Sequence, residues 1–366
     1  MKIVSDAISR QAFYHLFTRQ VNGREIDNDD LFSSPSDEDW KGVIAIAYKH
    51  GLAGICLDSL DSLPNDCRPP KELLLNLIGI ATQLEYHYKT HLTTLQSLSG
   101  FYHKHGIRTI LLKGYGLSLN YPKPNHRPSG DIDLFLSDGE QGDELIKELG
   151  IEVKQNEEKH STFIYHGVHI ENHATVICEL EHGSLSEIET FLEQEIKEHY
   201  KYDNVSGCYL PSGMFNAVFL PLHLGGHLVY GGANLRQILD YGLMVKNSAE
   251  DNINWNKVRE LAVKGGFFRF ISCLNGICID YLGLPQDCFP NWTRDAELEK
   301  KVIEDIINSN YDNPGSFAGK IRRYFENRWK YNLVYGRESH FLGLFRRTRS
   351  WMIWKWGIGR KSLWEK

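Results

Sequence analysis

The amino-acid sequence predicts an α+β fold in which a small mixed β-sheet is flanked by N-terminal and C-terminal helical regions. Three observations lead to this prediction: apolar residues recur at helical spacing up to residue 105, short apolar runs bounded by glycine follow, and helical spacing returns after Pro211. Helical runs on either side of a group of short strands are typical of α+β folds. We therefore divide the 366-residue chain into a helical region 1–105, an α+β core 106–210 and a helical region 211–366.

The individual elements follow from the same patterns. In the first region, helices are predicted over 39–51 and 71–105, each closed by a glycine. The core is predicted to contain strands at 107–112, 131–136, 162–166 and 168–176, with a helix at 144–149. In the last region, helices are predicted at 215–229, 235–246 and 255–282, and Gly-Gly pairs at 225–226, 231–232 and 265–266 mark turns or close helix approach.

Composition narrows the class of protein. With 42% hydrophobic and 24% charged residues, the chain resembles an ordinary soluble protein. Its seven cysteines form no CxxC pair, which argues against a thiolate zinc cluster, and their odd number argues against a disulfide framework. The N-terminus lacks the apolar segment of a secretory signal, and no apolar stretch is long enough to cross a bilayer. We therefore expect a cytoplasmic protein with reduced thiols.

Charge is distributed unevenly along the chain. Residues 315–366 contain thirteen Lys or Arg against three acidic residues, a net +10, and the chain total of −6 therefore leaves −16 for the rest. The segment 344–366 is also rich in tryptophan. Such a segment suits a membrane interface, a nucleic-acid backbone with stacked bases, or a helix packed on the acidic body. The three interpretations stay open, and the first would place the protein at the inner membrane surface.

Two aspartates on one predicted strand are the first chemical signal. Asp131 and Asp133 are two residues apart, so both side chains leave the same face of the strand, while Ile132, Leu134 and Leu136 leave the other. Two carboxylates about 4 Å apart repel by several kcal/mol at an effective dielectric near 20. The pair therefore calls for a cation, and oxygen ligands in a compact pair suit Mg²⁺ or Mn²⁺.

The surroundings of this pair strengthen the signal. An upstream strand ends in the turn Lys113-Gly114-Tyr115, and a glycine turn after a strand lets backbone N–H groups approach a phosphate. Downstream, Glu171 lies on an extended run and is a candidate third carboxylate. Three carboxylates beside a phosphate-binding turn are what two-metal transfer chemistry requires.

These residues resemble the core of a bacterial family of uncharacterised nucleotidyltransferases in the DNA polymerase β-like superfamily. The matching strings are Leu111-Leu112-Lys113-Gly114, Arg127-Pro128-Ser129-Gly130-Asp131-Ile132-Asp133-Leu134-Phe135-Leu136 and His169-Ile170-Glu171-Asn172-His173. In that family a Leu-Lys-Gly turn, an Arg-x-x-x-Asp-Ile-Asp strand and a strand with a carboxylate two residues before a histidine recur. The resemblance covers most of the chain, with weaker matches in the helices at 40–51 and 235–240.

The resemblance implies a nucleotidyltransferase core that moves a nucleoside monophosphate from an NTP to a hydroxyl acceptor and releases pyrophosphate. Asp131 and Asp133 would hold two Mg²⁺ or Mn²⁺ ions. Glu171 would complete the second metal site or take the proton, with His173 in support. The acceptor could be a small molecule, a sugar, a protein side chain or an RNA end.

For the phosphates, the resemblance implies cationic side chains around the Gly114-Tyr115 turn. Lys113 and Arg127 are the candidates for neutralising the phosphates, and Arg236 would reach them from the C-terminal region. The superfamily usually has Gly-Ser or Gly-Gly in this turn, so the small hydroxyl that commonly contacts a phosphate is missing here.

Other interpretations of the same residues stay open. Asp131 and Asp133 could form a turn-flanking acidic pair, and Lys113 and Arg127 could be solvated or engaged in salt bridges. Glu171 could be a surface residue. The nearby acidic residues Glu179 and Glu181 leave the register of the third carboxylate undecided, and the strand face that carries His169, Glu171 and His173 would also suit zinc.

Three residues of the C-terminal region are further candidates. His223, His227 and Asp240 lie on predicted helices, where a core or capping role is the default. The functional interpretation places them on the cleft wall opposite the metal carboxylates, where His227 and Asp240 would support the site.

Three functions remain in competition. The first is a metal-dependent nucleotidyltransferase. The second is a catalytically degenerate nucleotide-binding or interaction protein on the same fold, which Tyr115 in the turn favours. The third is an enzyme held at a membrane surface by the basic tail.

Overall fold

The computed structural model describes residues 36–156, 160–177, 185–230, 232–248, 253–308 and 317–336. Within these residues, twelve α-helices surround one seven-stranded mixed sheet, which confirms the predicted α+β class. The strands lie between residues 109 and 211, with helices before and after them. The proposed boundaries between three regions stay a prediction.

Three helices precede the sheet, and local sequence explains their ends. Helix α1 (Asp37–Lys49) begins at a capping box in which Ser36 and Asp39 bond to each other's backbone N–H. Helix α2 (Ala53–Ser59) follows, and helix α3 (Lys71–Lys104) runs for 34 residues before Gly106, whose φ of +77° ends the helical path.

The sheet follows, interleaved with helices. Its strands are β1 (Thr109–Leu111), β2 (Ile132–Leu136), β3 (Lys154–Asn156), β4 (His160–Tyr165), β5 (Val168–His173), β6 (Tyr200–Asp203) and β7 (Cys208–Pro211). Helices α4 (Tyr115–Ser118), α5 (Gly139–Glu148) and α6 (Ser186–Glu198) lie between strands. The strand order is β3-β4-β5-β2-β1-β7-β6, and β2–β5 and β1–β7 are the parallel pairs.

The two faces of the sheet bury different cores. Ile132, Leu134 and Leu136 pack beneath α3 and α5, as the alternating pattern of β2 predicts. On the opposite face, Phe135 joins a larger core that extends through the N-terminal and C-terminal helices. The odd-numbered residues of β2 therefore face the C-terminal helices, and this sets where the site lies.

The C-terminal region contains six helices among the described residues. They are α7 (Gly213–Tyr230), α8 (Leu235–Asn247), α9 (Trp255–Lys264), α10 (Phe268–Asp280), α11 (Ala296–Asn308) and α12 (Phe317–Val334). The stretch predicted as helical at 255–282 forms two helices, α9 and α10, and the Gly-Gly pair at 265–266 forms the turn between them, as that pair predicts. Gly266 has φ +79°, and a Cβ there would lie 3.1 Å from the backbone of Gly336, so the glycine turn admits a close approach that a continuous helix would block.

Some elements carried no clear sequence signal. The sequence did not predict α6, the β6–β7 hairpin or α11. Among the described residues, no helix combines the length and apolar character needed to cross a bilayer.

Candidate active site

Carboxylates from two strands come together where β2 lies beside β5. The register places Asp133 beside Glu171 and Ile132 beside Ile170. Adjacent residues on paired strands project to the same face, so the two carboxylates share one face while both isoleucines enter the core on the other. Asp131 directly precedes β2, two residues before Asp133, and lines the same cavity.

Asp133 is the most deeply buried of these carboxylates, with a side chain only 4% exposed. Lys113 Nζ lies 2.7 Å from its Oδ1, and His173 Nε2 lies 3.0 Å from the same oxygen. Burial by itself would raise the pKa of Asp133, but the charge of Lys113 and the hydrogen bond from His173 outweigh burial and hold this pKa below its usual range. Asp133 is therefore ionised at neutral pH.

Two overlapping sets of side chains could hold metal ions. Ligand atoms of Asp131, His169 and Glu171 all lie within 4.8 Å of one another, and so do those of Asp133, Glu171 and His173. The carboxylate oxygens in each set fit Mg²⁺ or Mn²⁺, and the histidine nitrogen is also acceptable to Mn²⁺ or Zn²⁺. The two histidines of the zinc interpretation fall in different sets, with Glu171 common to both.

The chain turns sharply at Gly114, directly after Lys113. Gly114 has φ +62°, and a Cβ there would lie 3.0 Å from Ser129 Oγ, so both the backbone and the close approach favour glycine. Gly114 lines the cavity that the carboxylates face. The ring of Tyr115 instead packs on Tyr88 in the core beneath α3, with 5.5 Å between ring centroids. Gly114 is therefore the residue of this turn that lines the cavity, whereas the ring of Tyr115 is part of the core.

A buried ion pair supports the segment that leads into β2. Arg127 Nε and Nη2 donate to the two oxygens of Asp240, each at 2.7 Å, and the Tyr121 hydroxyl donates to Oδ1 at 2.6 Å. All three side chains are buried. Burial would raise the pKa of Asp240, yet the charge of Arg127 outweighs it and lowers that pKa. The guanidinium of Arg127 is thus paired with a carboxylate of the chain itself, and its role as a phosphate ligand stays a prediction.

Arg236 lies on α8 one turn before Asp240 and also lines the cavity. Its Nη1 donates to the carbonyl oxygen of Pro128 at 2.8 Å. Gly51, at the end of α1, has φ +69°, and a Cβ there would lie 3.3 Å from Pro128 and 3.5 Å from Arg236. Residues from the N-terminal, central and C-terminal parts of the chain therefore meet at this point.

Two histidines of α7 form part of the opposite wall. His223 and His227 are one helical turn apart, and their Nε2 atoms are separated by 3.2 Å. Burial, followed by the nearby charge of Lys113, lowers the pKa of both imidazoles. Both are therefore neutral at pH 7, which makes them hydrogen-bonding groups and not fixed positive charges.

The cavity enclosed by these groups has a volume of about 430 Å³. Volumes of this order are typical of small-molecule and cofactor sites. Polar residues of β2, β5 and α8 and the 127–131 segment line it, together with apolar side chains that include Val176, Ile177, Phe219 and Leu222. The predicted residues Lys113, Gly114, Arg127, Asp131, Asp133, Glu171, His173, His227, Arg236 and Asp240 all reach this cavity.

Several residues at the site were missed by the sequence analysis. His160 of β4 pairs with His173 of β5, their rings stack with 5.6 Å between centroids, and both line the cavity. Asn234 and Gln237, which form the capping box of α8, line it too. The helix predicted at 235–246 begins at the first residue of α8, and the capping-box signature just before and within it could have singled out Asn234 and Gln237, whereas only strand pairing reveals His160.

Some predictions fall on residues outside the described part of the chain. These are the Trp-rich tail 344–366 and the alternative carboxylates Glu179 and Glu181. The cysteines of the described part are free, with no disulfide between them.

Comparison with known proteins gives a match to one family. The sequence model of a family described as uncharacterised nucleotidyltransferases matches residues 36–283, which include every strand and the cavity. A search of curated proteins and a search of solved structures each gave no match.

Proposed function

Since the chain belongs to the family of uncharacterised nucleotidyltransferases, we propose that it transfers a nucleoside monophosphate from an NTP to a hydroxyl acceptor and releases pyrophosphate. Family membership supports nucleotidyl transfer in general terms. One observation carries the finer proposal: the β2–β5 register sets Asp133 beside Glu171, with Asp131 on the same cavity. Three carboxylates in this arrangement suit transfer chemistry that depends on divalent ions.

The metal ligands in this proposal are Asp131, Asp133 and Glu171, with nitrogen atoms of His169 and His173 close by. Bound there, a pair of Mg²⁺ or Mn²⁺ ions would neutralise the triphosphate and lower the pKa of the acceptor hydroxyl. His173 orients Asp133 through its 3.0 Å hydrogen bond. An oriented, ionised carboxylate requires little rearrangement before it binds a cation.

The remaining groups position the reactants. Lys113 carries its charge on a flexible stem, so its ammonium can turn from Asp133 to a phosphate oxygen when a nucleotide enters. Gly114 allows the phosphates to approach the backbone closely. Glu171, which is more exposed than Asp133, accepts the proton of the acceptor hydroxyl.

In the reaction, the acceptor oxygen forms a bond to the α-phosphorus as the bond between that phosphorus and the bridging oxygen of pyrophosphate breaks. The hydroxyl proton passes to Glu171, and pyrophosphate leaves with the bonding electrons. Positioning and electrostatic stabilisation supply most of the rate enhancement in this class of chemistry.

A second candidate function is nucleotide binding without transfer. The ion pair between Lys113 and Asp133 favours it, because a carboxylate that is already neutralised has less need of a metal. The presence of Glu171 in register with Asp133 favours the enzyme, since binding alone needs no third carboxylate.

The proposal is tested by incubating the protein with each α-³²P-labelled NTP, Mg²⁺ or Mn²⁺, and cell extract separated into small-molecule, protein and RNA fractions. The wild type is compared with Asp133→Asn and with the exposed-site control Asp61→Asn. We expect label to move to one fraction with the wild type and the control, and not with Asp133→Asn. Nucleotide binding without transfer of label from any NTP would favour the second candidate instead.

A further inference from the structure

Three charged side chains lie together where α8 meets the segment before β2. Arg127 and Asp240 are buried, Arg236 is half-buried, and all three line the cavity. One carboxylate and two guanidinium groups leave this cluster with one excess positive charge. Burial makes an uncompensated charge costly, so where the excess charge lies indicates what the cavity is built to receive.

Each of the three guanidinium nitrogens of Arg127 has a hydrogen-bond partner. Two of its nitrogens bond to Asp240 as a fork, and Nη1 donates to the carbonyl oxygen of Pro128 at 3.1 Å. Fork-like pairing with a carboxylate is the strongest arrangement open to a guanidinium. Arg127 therefore holds the segment 127–130 in place and has little capacity left for a ligand.

Arg236 differs in each of these respects. Its one hydrogen bond within the described chain runs from Nη1 to the carbonyl oxygen of Pro128, and its Nε is buried without a partner. Burial and repulsion by Arg127 both lower its pKa, which means that the site disfavours its charge in the absence of an anion. A half-buried guanidinium that lines a cavity and makes one hydrogen bond still has donors available to bind a ligand.

The other cations of the cavity are already paired. Lys113 lies 2.7 Å from Asp133, and Arg127 is bonded to Asp240. Of the lysines and arginines that line the cavity in the described chain, only Arg236 makes no salt bridge to a carboxylate. His223 and His227 are neutral and add no charge.

We propose that Arg236 is the anion anchor of the cavity and binds the polyphosphate tail of the nucleotide, while Arg127 acts only as a positioning residue for the segment that carries Asp131. The identification of the anion as a nucleotide polyphosphate rests on the proposed function. The planar fork of arginine matches two oxygens of a phosphoryl group, and adjacent phosphoryl groups offer several such oxygens. A ligand oxygen at Arg236 would accept a hydrogen bond from Nη2, which has no partner within the described chain and is not enclosed, and would neutralise the excess charge.

The test measures binding of inorganic triphosphate by calorimetry in EDTA at low ionic strength, with no acceptor present. We expect saturable binding by the wild type, at least about tenfold weaker binding by Arg236→Gln, and an intermediate result for Arg236→Lys. The matched control is Arg269→Gln, which removes one positive charge from an exposed site and should bind as the wild type does. Thermal unfolding of each variant checks that the fold is retained.

Three results would overturn the proposal. They are absence of saturable binding by the wild type, equal affinity of Arg236→Gln and wild type, and orthophosphate binding as tight as triphosphate binding. The test is separate from that of nucleotidyl transfer. Loss of triphosphate binding in Arg236→Gln with no transfer from any NTP would leave the anchor standing and remove the enzyme proposal. If Arg236→Gln transfers label with an unchanged KM for the NTP, the enzyme proposal stands and the anchor proposal is removed.

Discussion

Two buried carboxylates on opposite walls of one cavity, Asp133 and Asp240, are paired with cations in different ways. Asp240 receives two hydrogen bonds from Arg127 and one from Tyr121, which occupy both of its oxygens. Asp133 contacts both Lys113 Nζ and His173 Nε2 through a single oxygen, Oδ1. Burial is nearly the same at the two sites, at 3% and 4% residue exposure, so the difference lies in their partners.

This difference predicts a structural role for Asp240 and a role in the chemistry for Asp133. A rigid guanidinium fork fixes Asp240, and the pair joins α8 to the segment before β2. An ammonium on a flexible stem neutralises Asp133, and neighbouring Glu171 belongs with it to a set of side chains that could hold a metal ion. We therefore expect changes at Asp133 to affect activity more than stability, and changes at Asp240 to affect stability more than activity.

The largest expected effect is on catalysis. Asp133→Asn should lower kcat for nucleotidyl transfer by about 10³-fold or more, because it removes a charged ligand that the transition state requires. Initial rates of pyrophosphate release, with saturating NTP and the identified acceptor, measure this change. A loss of less than about tenfold would show that Asp133 is not a ligand of the reacting groups.

The next effect is on stability. Asp240→Asn should lower the free energy of unfolding by about 3–5 kcal/mol, because it leaves the charge of Arg127 buried without its partner. Urea denaturation followed by circular dichroism gives the value. Asp133→Asn serves as the comparison. It should lower the free energy of unfolding by less, because Lys113 has 18% of its side chain exposed and its ammonium can reach water. Equal losses in the two variants would remove the distinction between the carboxylates.

A smaller effect is expected at Gly114, in the turn that follows Lys113. Gly114→Ala should cost about 1–3 kcal/mol of stability, because φ is +62° and a Cβ would press on Ser129. The matched control is Gly79→Ala in α3, where the added methyl group meets nothing within 4 Å and should stabilise the helix slightly. Thermal unfolding of both variants measures the two changes. A Gly114→Ala protein as stable as the wild type would contradict the backbone argument.

The smallest effect concerns His126, which directly precedes Arg127. A hydrogen bond with Asp58, and a second with Glu85, raise the pKa of His126. Because the folded pKa is raised, its contribution is fully present below the unfolded value of about 6.5 and is lost as pH rises through the folded pKa. The free energy of unfolding should therefore decline above about pH 6.5 by more in the wild type than in His126→Gln. Identical slopes in the two proteins would contradict this assignment.

Much of the fold follows from local sequence. The predicted strand at 131–136 is β2, the predicted helix at 71–105 is α3, and the two-residue spacing of the aspartates puts both on the cavity side. These features depend on neighbouring residues, whose periodicity and turns can be read directly.

The rest depends on contacts between distant residues. The strand pattern left the third carboxylate undecided, because only the β2–β5 register sets Glu171 beside Asp133. Arg127 and Asp240 are 113 residues apart, so no spacing rule could reveal that they are paired. The Gly-Gly pair at 265–266 does mark the interruption of the helical stretch at 255–282, but the sequence does not show that Gly336 is the residue that approaches Gly266.

The most direct test of the difference between the two carboxylates is to count bound Mn²⁺ by electron paramagnetic resonance in the presence of a non-reactive NTP analogue. The wild type and Asp240→Asn should remove Mn²⁺ from solution in the same stoichiometry, provided that the latter is measured at a temperature where it is folded. Asp133→Asn should bind fewer ions, because it lacks one of the ligand carboxylates. Equal Mn²⁺ binding by Asp133→Asn and the wild type would contradict the assignment of Asp133 to the metal site.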